Sequence, residues 1–147
     1  EDLNLFASEM AGLILSNLDD EKHKISEYKQ NSFMYEISSE TGNVSQSIVV
    51  KLFSFNRVIG VSIPAEVLSS YYLHLRNNFP DTIVIPMGFS EGMIGYLPMY
   101  HQLSEGGYEV GSSKNYGWDS PFDSDNLQQF LEVLVYQVDQ MLKEIKS

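Results

Sequence analysis

Glu66 and the tyrosines at 96, 100 and 108 offer a carboxylate and phenols, groups whose types could do chemistry. A carboxylate and a phenolate are both oxygen donors, a partial set that could complete a metal site only if its imidazoles came from elsewhere. All three tyrosines lie in Gly88 to Glu109, reading GFSEGMIGYLPMYHQLSEGGYE, which carries five glycines in twenty-two positions. Glycine loses the most conformational freedom on ordering, so this density predicts backbone bends or a close approach to something. It also breaks any regular helix. Upstream, a strand runs into Ile63-Pro64-Ala65-Glu66. The two stretches read as two lips of one site.

Other chemistries find less support. Gly88-Phe89-Ser90-Glu91-Gly92 spells G-x-S-x-G after a strand, with His101 as the base to test. A nucleophile elbow must enter a helix, however, and here glycines continue through Gly95. The histidines at 23, 74 and 101 show neither H-x-H nor H-E-x-x-H spacing, and those at 23 and 74 read as ordinary surface residues. With no cysteine in the chain, a disulfide framework, a cysteine-based zinc finger and a thiol nucleophile are excluded.

At 147 residues, 43% of them apolar, the sequence predicts a single domain (1–147) with its own core rather than a disordered chain. Net charge is −11, and the nine Lys and Arg are scattered, which argues against nucleic-acid binding. No apolar run is long enough to span a membrane. The chain opens on Glu1 rather than Met and shows no signal peptide, so a removed leader or a longer parent is expected, and the compartment stays open.

The elements that must position the two lips follow from periodicity. Leu3, Phe6, Met10, Leu13, Ile14 and Leu18 predict an amphipathic helix over 2–18, and the polar run 19–30 a loop. Strands are predicted at 33–38, 47–55 and 58–63, paired antiparallel through a turn at 41–43 and a tight connection at 56–57. VIGVSI, apolar at nearly every position, suits a central strand covered on both faces. Pro64 predicts a helix start, with Glu66 in its first turn and Val67, Leu68, Tyr71, Tyr72 and Leu75 buried. A fourth strand at 82–87 then pairs in parallel through a crossover, and sites gather outside the carboxyl ends of such strands. A polar loop over 111–122 precedes a last helix capped at Asp123-Ser124-Asp125. The expectation is an α/β fold: a mixed sheet of about four strands with flanking helices.

The succession VIGVSIPAE, a helix, TIVIPMGFSEGMIGYLPM and then EGGYEV resembles the neutral/alkaline ceramidases and their shorter bacterial relatives. The likeness covers roughly Ser47 to Val110, with Glu66 thirty residues before Tyr96 and Tyr96 twelve before Tyr108. The resemblance implies a zinc amidase that cleaves the N-acyl amide of a ceramide-like lipid. It implies a metal held by two histidines, a glutamate and a tyrosine, the last two matching Glu66 and Tyr96. A further active-site tyrosine, hydrogen-bonding near the scissile amide, matches Tyr108. Ala65 and Glu91 stand where the family usually carries Gly and Asn, and an added carboxylate there would shift substrate preference.

The family's two histidines and its serine belong to an N-terminal half that this chain lacks. The resemblance thus implies the C-terminal portion of a larger layered domain, inactive alone, with the missing half as its partner. Two further readings remain open: a non-catalytic interaction module that kept the fold, and an α/β domain whose Tyr/Gly-rich loop binds an acyl chain or carbohydrate.

Overall fold

Alternation of apolar and polar residues builds the sheet, and the two sides of that alternation meet different fates. A computed structural model describes residues 28–55, 58–90 and 92–146. The helix expected over 2–18, His23, the connection at 56–57 and Glu91 lie outside the described residues. Strands β1 (Tyr28–Ser38), β2 (Ser45–Phe55), β3 (Val58–Ser62) and β5 (Ile83–Met87) form one sheet in the order β1-β2-β3-β5. β1, β2 and β3 pair antiparallel, and β5 lies parallel to β3. The mixed α/β sheet expected from the sequence is therefore the architecture found. β1 begins earlier than expected, at Tyr28, whose ring meets Phe55 with centroids 5.3 Å apart on the paired strand.

One face of the sheet is the core. Ile37, Ile48, Val50, Leu52, Ile59, Val61 and Val84 are buried there beneath two helices. Helix α3 (Ser124–Lys146) brings Leu127, Phe130, Leu131, Leu134, Val138 and Met141 at helical spacing. Its start is the predicted one: the Asp123 carboxylate accepts from the Asn126 N–H at 2.7 Å, capping the first turn. Helix α1 (Ser69–Asn78) buries Tyr71 and Leu75 on the same side, the Tyr71 ring 6.5 Å from Phe130.

Helix α1 starts at Ser69, not at Pro64, and Glu66 with Val67 forms a short strand, β4. The cause is competition for main-chain groups. Residues 63–66 give theirs to the loop beyond β5: the Ile63 N–H donates to Met87 O at 2.9 Å and the Phe89 N–H donates to Ala65 O at 3.0 Å. Tyr72, expected to be buried, is 41% exposed because Tyr71 and Leu75, four residues apart, define the face of α1 that meets the core and Tyr72 lies about 100° round from Tyr71.

The other face of the sheet mixes exposed positions with covered ones, Gly60 and Ser62 being buried. Register places Tyr28, Phe55, Val58 and Ile83 in one row across it, Gln30, Phe53, Gly60 and Ile85 in the next, Ser32, Lys51, Ser62 and Met87 in a third, and Met34 beside Val49. Met34 is 76% exposed and Ile83 60%. At β3 the expected covering on this side is supplied from within: the Phe53 ring lies over Gly60, where a Cβ would fall 2.2 Å from it. Gly60→Ala must therefore displace an aromatic ring. Overpacking of this kind costs roughly 1–3 kcal/mol, and chemical denaturation should show a lower midpoint with an unchanged slope.

Candidate functional site

The two lips meet as a miniature parallel sheet. β4 (Glu66–Val67) pairs with β6 (Tyr96–Leu97) in the register Glu66 to Tyr96 and Val67 to Leu97. The Glu66 N–H donates to Gly95 O at 2.9 Å, and the Ile94 N–H donates to Pro64 O at 3.1 Å. Directly paired residues project to the same face, so the carboxylate and the phenol stand side by side.

Glycine makes this approach possible at two positions. A Cβ on Gly88 would fall 2.7 Å from the Ala65 carbonyl oxygen, and Gly95 takes φ +113° with Tyr116 packed against it. Both match the close approach that the glycine density predicted. Trp118 anchors the same loop: its indole N–H donates to Ile94 O at 2.8 Å, and its ring packs on Phe122 with centroids 4.8 Å apart. Residues 111–122 are accordingly less of a loop than expected. They contain the end of a short helix, α2 (Tyr108–Gly111), and a 3-10 turn at Ser112–Tyr116, with Ser112, Ser113, Trp118 and Phe122 buried. A lone tryptophan among polar residues is the signal that could have marked this anchor.

Tyr96 donates its phenol proton to Glu66, and that hydrogen bond is the main reason its pKa rises from 10.0 to about 12. Partial burial and the nearby Glu66 charge push the same way. Tyr108 closes the group, its ring edge-on to Tyr96 with centroids 5.5 Å apart and 68% exposed. Gly106 and Gly107, at φ +69° and +94°, turn the chain from the 3-10 helix Tyr100–Glu105 into α2 and set Tyr108 at its head. Phe89, 70% exposed, sits on the neighbouring loop at φ +57°, a left-handed conformation held by its bond to Ala65. Glu66, Tyr96 and Tyr108 are thus brought together.

The remaining candidates go elsewhere. Beyond Ser90 the described residues 92–95 stay non-helical, so the G-x-S-x-G stretch does not form a nucleophile elbow. His101 lines a separate cleft of about 550 Å³ with Glu40, Tyr100 and Asp123, which includes none of Glu66, Tyr96 and Tyr108. His74, expected to be an isolated surface residue, has its pKa lowered by partial burial and then by the charge of His101. No sequence spacing joins these two histidines; the docking of α1 on the 3-10 helix, where Ser70 Oγ donates to Gln102 Oε1 at 3.1 Å, brings them near.

The donor chemistry of Glu66 and Tyr96 fits two of the four ligands of a zinc site. Among the described residues no group of three or more His, Cys, Asp or Glu is placed to complete it. Among the same residues no helix is long and apolar enough to cross a membrane. No family model, curated protein or solved structure matches the chain.

The Glu66–Tyr96 bond has a titration signature. A phenol whose folded pKa lies above its unfolded value stabilises fully below the unfolded pKa and loses that contribution as pH rises through the folded one. For Tyr96 that window runs from 10.0 to about 12. Glu66→Gln should bring one late-ionising tyrosine back towards the ordinary range, read as phenolate absorbance against pH. An unchanged profile would show that the two side chains do not meet.

Proposed function

We propose that this chain is the C-terminal part of the catalytic unit of a zinc-dependent amidohydrolase similar to the neutral ceramidases, acting on the N-acyl amide of a ceramide-like lipid. The observation that carries this reading is the convergence of Glu66, Tyr96 and Tyr108 on one small patch. Those three positions come from the family resemblance alone, and thirty and twelve residues of chain separate them. Histidines from the missing N-terminal half would complete the metal.

Each side chain has a definite task. Glu66 would give the metal a carboxylate oxygen, and Tyr96 its phenolic oxygen in place of the proton it now gives Glu66. Zinc, when bound, polarises a carbonyl and lowers the pKa of its water towards ~7. Tyr108, exposed beside them and free to turn towards a substrate, would donate its phenol hydrogen to charge developing on the amide. The chain alone is inactive in this account.

A second reading is favoured by a different observation. Phe89, on the glycine-rich loop, and Tyr108, at the head of α2, are each more than two-thirds exposed and offer aromatic surface to an acyl chain or a sugar. That reading needs no metal and no second half.

The two readings part on the longer parent protein, assayed for zinc content and N-acyl amide hydrolysis. Glu66→Ala should lose zinc and turnover together, and Tyr96→Phe should weaken both. Tyr108→Phe should keep the metal and lose roughly 10²–10³ in kcat, the usual cost of one oxyanion donor. Full metal content and turnover in all three variants would leave only the binding reading.

A further inference from the structure

Among the described residues, Phe89 alone takes a positive φ without being glycine, at +57°. A Cβ is crowded in that left-handed conformation, so a bulky side chain there is an outlier. Gly, Asn or Asp would hold it at less cost. The backbone accounts for the φ but not for the ring. The Phe89 N–H donates to Ala65 O at 3.0 Å, and a glycine would make the same bond. The stretch already uses glycine at 88, where a Cβ would fall 2.7 Å from that same oxygen, and at 92 and 95, both at positive φ.

Packing does not offset the strain either, because Phe89 is 70% exposed. A side chain both strained and solvent-facing contributes little to folding, and backbone outliers of this kind gather at ligand sites. The position of Phe89 fits one. Its bond falls on Ala65, next to Glu66, and a Cβ on Gly88 would lie 3.5 Å from Val67 Cγ2, on the other side of Glu66. Phe89 therefore leaves the chain directly alongside β4, the strand that sets Glu66 opposite Tyr96.

We infer that Phe89 is a specificity-determining residue, its ring the contact for a hydrocarbon chain attached to the amide that Glu66, Tyr96 and Tyr108 receive. The ring has no polar atom, so what it recognises is apolar. An amide of the proposed kind carries hydrocarbon on both its acyl and its amine side. The inference rests on the amidase reading for the identity of the ligand, and it adds that chain length is read at this lip.

Two measurements test it. In the 147-residue chain, Phe89→Asn relieves the backbone and should leave the denaturation midpoint unchanged or raised. A lowered midpoint would show that the ring packs, and would overturn the inference. In the longer parent protein, titration calorimetry reads the binding of two series of N-acyl amides, one varying the acyl chain and the other the amine chain. The unsubstituted protein should favour the longer members of one series, which identifies the chain that the ring touches. Phe89→Asn should narrow that preference by roughly tenfold or more with zinc content unchanged, and Phe89→Leu, still apolar, should keep it. No length preference in the unsubstituted protein, or one that survives in Phe89→Asn, overturns the inference. So does joint loss of zinc and of all binding in Phe89→Asn, which would set the ring against the rest of the protein. Turnover and zinc content of the unsubstituted parent judge the amidase reading separately: a length preference that depends on Phe89 in a protein without turnover removes that reading and leaves the role of Phe89 standing.

Discussion

Main-chain hydrogen bonding between residues 63–66 and the loop from Met87 to Tyr96 is the constraint on which the candidate site depends. Met87 O, Ala65 O, Gly95 O and Pro64 O each accept one N–H across the gap between the lips. Buried or half-buried amides and carbonyls must be paired, so this ladder fixes where the chain can go. It takes the groups that would otherwise start a helix at Pro64, delays α1 to Ser69, and places Glu66 directly opposite Tyr96. Gly88 and Gly95 make that approach sterically possible. Trp118 then fixes the loop from outside by donating its indole N–H to Ile94 O.

Much of the sheet could be read from period-two alternation. β2, β3 and β5, their antiparallel and parallel pairings, and the long last helix with its Asp123 cap follow from local pattern. The misread elements are those where a distant segment outbids a local preference. Pro64 is a good helix opener by local rules, yet its neighbours' main-chain groups belong to the glycine loop some thirty residues on. The order of residues 108–122 comes likewise from the burial of Trp118 and Phe122, which sequence spacing does not announce.

The site shows the same division. That a carboxylate and a phenol would face one another was legible from topology, since both follow the carboxyl ends of neighbouring parallel strands, β3 and β5. That the phenol would give its proton to the carboxylate was not, because a one-residue slip between β4 and β6 would separate the side chains. The encounter of His74 with His101 depends on helix packing and left no trace in their spacing. The position of Tyr108 rests on two glycines of positive φ, which the glycine density foreshadowed without specifying.

Everything proposed for the patch requires Glu66 and Tyr96 to interact as side chains and not merely to be neighbours on a backbone. A double-mutant cycle in chemical denaturation measures that directly, with Glu66→Gln, Tyr96→Phe and the pair together. The account predicts that the double variant costs less than the two single costs combined, because either change already removes the shared hydrogen bond. Strict additivity would contradict it.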